Sequence, residues 1–92
     1  MSEKSVRVIV HGIVQGVGFR YFTLREAERL QLRGHARNLV DGTVEVEATG
    51  PAEAVDRLLL WLQTGPRTAS VSHLVVTEIS SEQIQEPSFV AW

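Results

Sequence analysis

Apolar and polar positions alternate strictly at the start of the chain. Val6, Val8 and Val10 interleave with Arg7, Ile9 and His11, a period of two that predicts a strand with the valines on its buried face. From Tyr21 to Leu32 the period changes. Leu, Arg, Glu and Ala dominate without Pro or Gly, and Tyr21, Leu24, Ala27 and Leu30 recur at helical spacing, which predicts a helix with those four facing the core. Gly34 is expected to close this helix or the loop behind it. His35 to Leu39 or Val40, then Asp41-Gly42, then Thr43 to Ala48 read as a hairpin, because Asp-Gly tolerates the positive φ a tight turn needs. In its second arm Val44 and Val46 alternate with Glu45 and Glu47, so one face should be buried and the other wet.

Gly50-Pro51 ends that arm and starts a second helix. Val55, Leu58, Leu59 and Leu62 sit at i, i+3, i+4 and i+7, the clearest amphipathic pattern in the chain. Gly65-Pro66 terminates it. Val71 to Ile79 reads as a further strand with Val71, Leu74 and Val75 buried. Polar residues from Ser80 to Ser88 lead to a short final strand, Phe89 to Trp92. The order β-α-β-β-α-β predicts an α+β fold, a ferredoxin-like sandwich with two helices packed on one face of an antiparallel four- or five-stranded sheet. Ninety-two residues fit a single domain spanning 1–92.

Composition narrows the chemistry. The chain has no cysteine, which excludes a thiolate nucleophile and a cysteine-ligated zinc site. Its first residues carry no apolar targeting segment and no stretch approaches membrane-spanning length, so a cytoplasmic protein without membrane partners is expected. A net charge of −2 argues against a general nucleic-acid binder. RNA-recognition domains share this element order but need aromatics on the exposed strand faces, where Glu45 and Glu47 fall here. Charge is unevenly spread. Lys4 to Arg37 holds seven basic and two acidic residues, and the chain after Arg37 two basic and eight acidic. Arg25, Arg29 and Arg33 within that basic half also fit the solvated face of a helix.

The basic half contains Gly12-Ile13-Val14-Gln15-Gly16-Val17-Gly18-Phe19-Arg20. Three glycines between a strand and a helix let peptide N–H groups converge on an anion near the positive end of the helix dipole. Arg20 adds a permanently charged planar fork suited to phosphate. The loop is not a Walker A motif, since no Lys-Ser or Lys-Thr follows, and it lacks the third glycine of a dinucleotide fingerprint. His11, His35 and His73 are scattered without carboxylates at ligand spacing, so no metal site is expected, and no nucleophile elbow is present.

This loop, together with Gly34-x-x-Arg37-Asn38-x-x-Asp41-Gly42-Thr43-Val44-Glu45 and Gly65-Pro66…Ala69-x-Val71, closely resembles the acylphosphatase family over nearly the whole chain. The resemblance implies hydrolysis of the carboxyl–phosphate bond of small-molecule acyl phosphates, with no metal or organic cofactor. It implies that Arg20 and the loop, Gln15, Gly16, Val17, Gly18 and Phe19, bind the phosphoryl group. It implies that Asn38 positions the attacking water. His35 departs from the aromatic residue many relatives carry there, Gly18 occupies a variable position, and the tail is less basic than in many relatives. Two other readings share the scaffold: a non-catalytic anion-binding or regulatory domain, and a module of a larger carbamoyl-transfer machine. A monomer is expected.

Overall fold

The computed structural model describes residues 2–92. Strand β1 (Glu3–Ile13) is followed by α1 (Phe19–Arg29), β2 (Arg33–Asn38), β3 (Val44–Pro51), α2 (Ala52–Leu62), β4 (Ser70–Glu78), a 3-10 turn (Ser81–Gln83) and β5 (Phe89–Ala91). The strands form one sheet in the order β4-β1-β3-β2-β5. The ferredoxin-like α+β expectation is borne out, with one correction. β5 runs parallel to β2, Gly34 beside Phe89 and Ala36 beside Ala91, so the five-stranded sheet is mixed rather than antiparallel throughout.

The core lies between the sheet and the helices. Val6, Val8 and Val10 of β1 and Val44, Val46 and Ala48 of β3 are fully buried, against Phe19 and Ala27 of α1 and Val55, Leu58 and Leu62 of α2. Opposed residues in the register, Val8 with Val46 and Val10 with Val44, share a face. The period-two and period-3.6 stripes therefore meet in one apolar layer.

Four local expectations are corrected. Tyr21 is 55% exposed. The helix begins earlier, at Phe19, and its buried stripe is Phe19, Thr23 and Ala27, at i, i+4 and i+8, while Leu24 and Leu30 pack at the margin. Gly34 does not close the helix. That role falls to Leu30 and to Gln31, a non-glycine residue at φ 60°. Gly34 lies within β2, where a Cβ would stand 1.9 Å from the Glu47 carbonyl oxygen; only hydrogen fits between those strands. Val75 is 47% exposed. A bulge in the β1–β4 pairing at His11/Gly12 puts two residues opposite one and reverses the phase of β4. Leu74 then opposes Val10 on the core face, and Val75 opposes Ile9 on the open face.

The fourth correction concerns the open face of β3. Glu45 and Glu47 are only 7% and 5% exposed. Arg37 Nε donates to Glu45 at 2.8 Å, Arg7 Nε donates to Glu47 at 2.8 Å, and His35 Nε2 stands 2.7 Å from Glu45. The segment before β5 closes over them, with Glu86 3.0 Å from His35 Nδ1 and Gln83 accepting from Arg7 at 3.1 Å. A carboxylate leaves water at such a face only because charged donors replace its hydration.

Candidate functional site

The chain leaves β1 at Ile13 and enters α1 at Phe19 through a turn in which Gly16 has φ 76° and Gly18 φ 79°. Two left-handed residues so close together fold successive peptide N–H groups toward a common centre. A Cβ at Gly16 would meet nothing, so that glycine serves its backbone angle and not space. Gly18 is the N-cap of α1 and offers no side-chain cap, and the first helical turn carries no acidic residue. The first bond of the helix runs from the Phe22 N–H to the Gly18 carbonyl at 3.1 Å. The N–H groups of Phe19, Arg20 and Tyr21 are therefore the unpaired first-turn donors of the helix. A Ser, Thr or Asp at the cap would have consumed one of them. Instead the helix presents its bare positive end.

An open cavity of about 270 Å³ lies at this end. Its walls include Gly16, Gly18, Phe19 and Arg20 from the turn and helix, and Asn38 from the end of β2. Val14, Tyr21 and Ala91 complete it. None of the three is expected in the site from the sequence: helical spacing assigns Tyr21 to the core, and nothing in the spacing of Val14 and Ala91 separates a cavity wall from ordinary apolar packing. Arg20 donates from Nη1 to the backbone oxygen of Trp92. The last strand thus fixes one arm of the guanidinium, and the remaining N–H groups of the fork are left for a ligand. Asn38 is exposed, and its carboxamide has no hydrogen-bond partner among the described residues.

Two of the predicted cradle residues sit differently. Gln15 does not line the cavity. Its side-chain amide donates both protons across the fold, to the carbonyls of Leu39 at 2.7 Å and Thr43 at 2.8 Å. Gln15 is thereby a strut between the glycine turn and the loop that follows Asn38. Val17 packs against the core margin, and its carbonyl accepts from the Thr68 hydroxyl at 2.6 Å. For both residues, only the backbone N–H faces the question of anion binding. Phe19 is buried and anchors the turn while lining the cavity floor.

The loop beyond Asn38 is closed from within. The Leu39 N–H donates to the Thr43 carbonyl at 2.9 Å, and the Gly42 N–H to the Leu39 carbonyl at 3.2 Å. Asp41 accepts from the Thr43 hydroxyl at 2.6 Å and the Thr43 N–H at 3.0 Å. These bonds hold the Asp41 carboxyl below its usual range, because they favour the charged form.

The fold also gathers His35, Glu45 and Glu47 with their ligating atoms within 4.8 Å, a grouping not visible in sequence spacing. The Arg7 and Arg37 guanidiniums already neutralise those carboxylates. A cation there would face two fixed positive charges, which makes the cluster a poor metal centre.

Comparison with known proteins gives a consistent picture. The family model described as Acylphosphatase matches residues 6–90. A relative named acylphosphatase from Aeromonas hydrophila is 55% identical over 74 residues, 80% of this chain and 82% of that protein. Another, from Chlorobaculum tepidum, is 54% identical over 79 residues, 86% of each chain. Among solved structures, an acylphosphatase from Coxiella burnetii superposes with a TM-score of 0.88 at 37% identity, covering 98% of this chain and 93% of the other.

Proposed function

This chain belongs to the acylphosphatase family, and we propose how its site divides the hydrolysis of an acyl phosphate between two side chains and a turn of backbone. The reaction cleaves the carboxyl–phosphate bond of a small-molecule substrate to a carboxylate and inorganic phosphate. A mixed anhydride already has a good leaving group, so no strong protein nucleophile is needed. What the reaction needs is neutralisation of charge on the equatorial phosphoryl oxygens and a water held in line.

Arg20 takes the first task. Its guanidinium pairs with the phosphoryl oxygens while the N–H groups of Gly16 to Phe19, at the bare start of α1, bind the remainder. Asn38 takes the second. A carboxamide offers both a donor and an acceptor, so it orients a water without stripping its proton. The proton passes to a phosphoryl oxygen of the substrate. The observation that carries this reading is the shared cavity, which has Arg20 and Gly18 on one wall and Asn38 on another. A binding-only domain would need Arg20 but not Asn38, and the matched relatives carry the name of the enzyme.

We further propose that residues 1–92 act as one self-sufficient cytoplasmic domain, as a monomer and without a metal. Within residues 2–92 no helix is long and apolar enough to cross a membrane. The test is hydrolysis of benzoyl phosphate by the purified chain with a chelator present, alongside sedimentation of the same sample. Turnover that survives chelation in a species of one-chain mass is expected. Loss of turnover on chelation, or activity only in a larger assembly, would overturn this part.

A further inference from the structure

α1 lines a second cavity with a different stripe of its surface. Phe22, Arg25 and Arg29 fall at i, i+3 and i+7, one face of the helix, and the cavity they border measures about 460 Å³. Its other wall comes from the end of α2 and the connection to β4: Trp61, Pro66 and Arg67. It shares no lining residue with the cavity that holds Arg20 and Asn38.

The two walls combine an apolar slot with excess positive charge. Trp61 is half-buried, with its ring centroid 6.2 Å from that of Phe19, so the core holds one broad aromatic surface in place. Phe22 and Pro66 add flat apolar surface. Three guanidiniums stand at the rim against one carboxylate, Glu26, which Arg29 engages. Arg25 lies over the Tyr21 ring at 5.9 Å, and Arg67 has no acceptor among the described residues. A solvated helix face accounts for Arg25 and Arg29 alone. It does not account for Arg67 arriving from another element, nor for the apolar floor between them. A concave, mostly apolar space with a few convergent charges is the form of a small-molecule site.

We propose that this groove binds a phosphate ester of a planar heterocycle, with the ring against Trp61, Phe22 and Pro66 and the phosphate drawn in by Arg25, Arg29 and Arg67. The ring gains from burial and stacking, and the phosphate from charge-assisted bonds to planar donors. Neither half has the whole of this complementarity. The site is separate from hydrolysis, so it binds without cleavage of the ester.

Calorimetric titration with flavin mononucleotide at low ionic strength tests this, with riboflavin and inorganic phosphate as the two halves of the probe. The expected result is one saturable site with a dissociation constant below about 1 mM, and each half binding at least about tenfold more weakly. Arg25→Glu and Arg67→Glu should each weaken the flavin phosphate by about tenfold or more, with benzoyl phosphate hydrolysis unchanged. Binding should persist in Arg20→Ala. The proposal is overturned by absence of saturation at millimolar probe, by equal binding in the two charge-reversal variants, by parallel loss of hydrolysis in them, or by loss of binding in Arg20→Ala alone. The last result would place the probe in the hydrolytic cavity.

Discussion

At the scale of single residues, the proposed mechanism separates binding from positioning. Among the described residues Arg20 carries the only full positive charge on the cavity wall, so Arg20→Ala should abolish measurable inhibition by phosphate and lower kcat/KM by about a thousandfold, the upper range for removing a transition-state donor. Steady-state kinetics with phosphate as inhibitor reads both effects. Gln15 makes a different prediction. Its amide satisfies two carbonyls, those of Leu39 and Thr43, and it does not touch the cavity. Gln15→Ala should cost about 1–3 kcal/mol of stability through the orphaned acceptors and release the loop after Asn38. Thermal unfolding would reveal the first consequence. The second should appear as a fall in kcat larger than any change in phosphate affinity. An unchanged kcat would show that the strut does not serve the site. The strut role of Gln15 was not legible in the sequence, where it stood beside the glycines as one more member of a cradle. A side chain's reach across 24 residues has no local signature.

Elements were easier to read than their edges. The β1 valines, the α2 stripe and the Asp41-Gly42 hairpin stand where periodicity placed them, because each buries a regular face whose pattern is set by strand or helix geometry. The mistakes came where something non-local altered the phase. Gly18 moved the start of α1 forward and turned Tyr21 outward. The bulge opposite Ser72 put Val75 on the open face. The Glu45–Glu47 pair looked wet because alternation reports only that a face is polar. Their covering arrives from β1, β2 and the segment before β5.

That covered face predicts a pH dependence. Burial raises the Glu45 carboxyl, but hydrogen bonds from His35 and Arg37 outweigh it and hold the group below its usual 4.5. A depressed folded-state value means the unfolded chain takes up the proton first. The stabilisation is then fully present above about pH 4.5 and is lost as pH falls through the folded-state value. Thermal melts from pH 7 to pH 3 should show a steeper acid decline for the native protein than for Glu45→Gln. Equal slopes would mean that the network is energetically idle.

For the molecule as a whole, the sheet brings together what the chain keeps apart. Arg20 and Asn38 are separated in sequence by the rest of α1 and by β2, yet β2 runs back along β3 and ends at the mouth of the glycine turn. β5 then lies beside β2 and offers the Trp92 backbone oxygen to Arg20. The two motifs that mark the family in sequence are the two walls of one cavity. That arrangement depends on the packed core beneath it. Leu58→Ala, deep under β1 and β3, should cost about 2–5 kcal/mol in chemical unfolding, while the fraction that remains folded keeps native kcat.

In the proposed mechanism, Asn38 is the residue that turns a phosphate binder into a hydrolase. The most direct measurement is the kcat of Asn38→Ala on benzoyl phosphate, paired with the inhibition constant of inorganic phosphate for the same variant. A loss of roughly a hundredfold or more in kcat is expected, with phosphate inhibition within about twofold of the native protein, since Arg20 and the loop N–H groups proposed to bind the anion are untouched. Hydrolysis at the native rate, or a loss of phosphate affinity as large as the loss of rate, would contradict it.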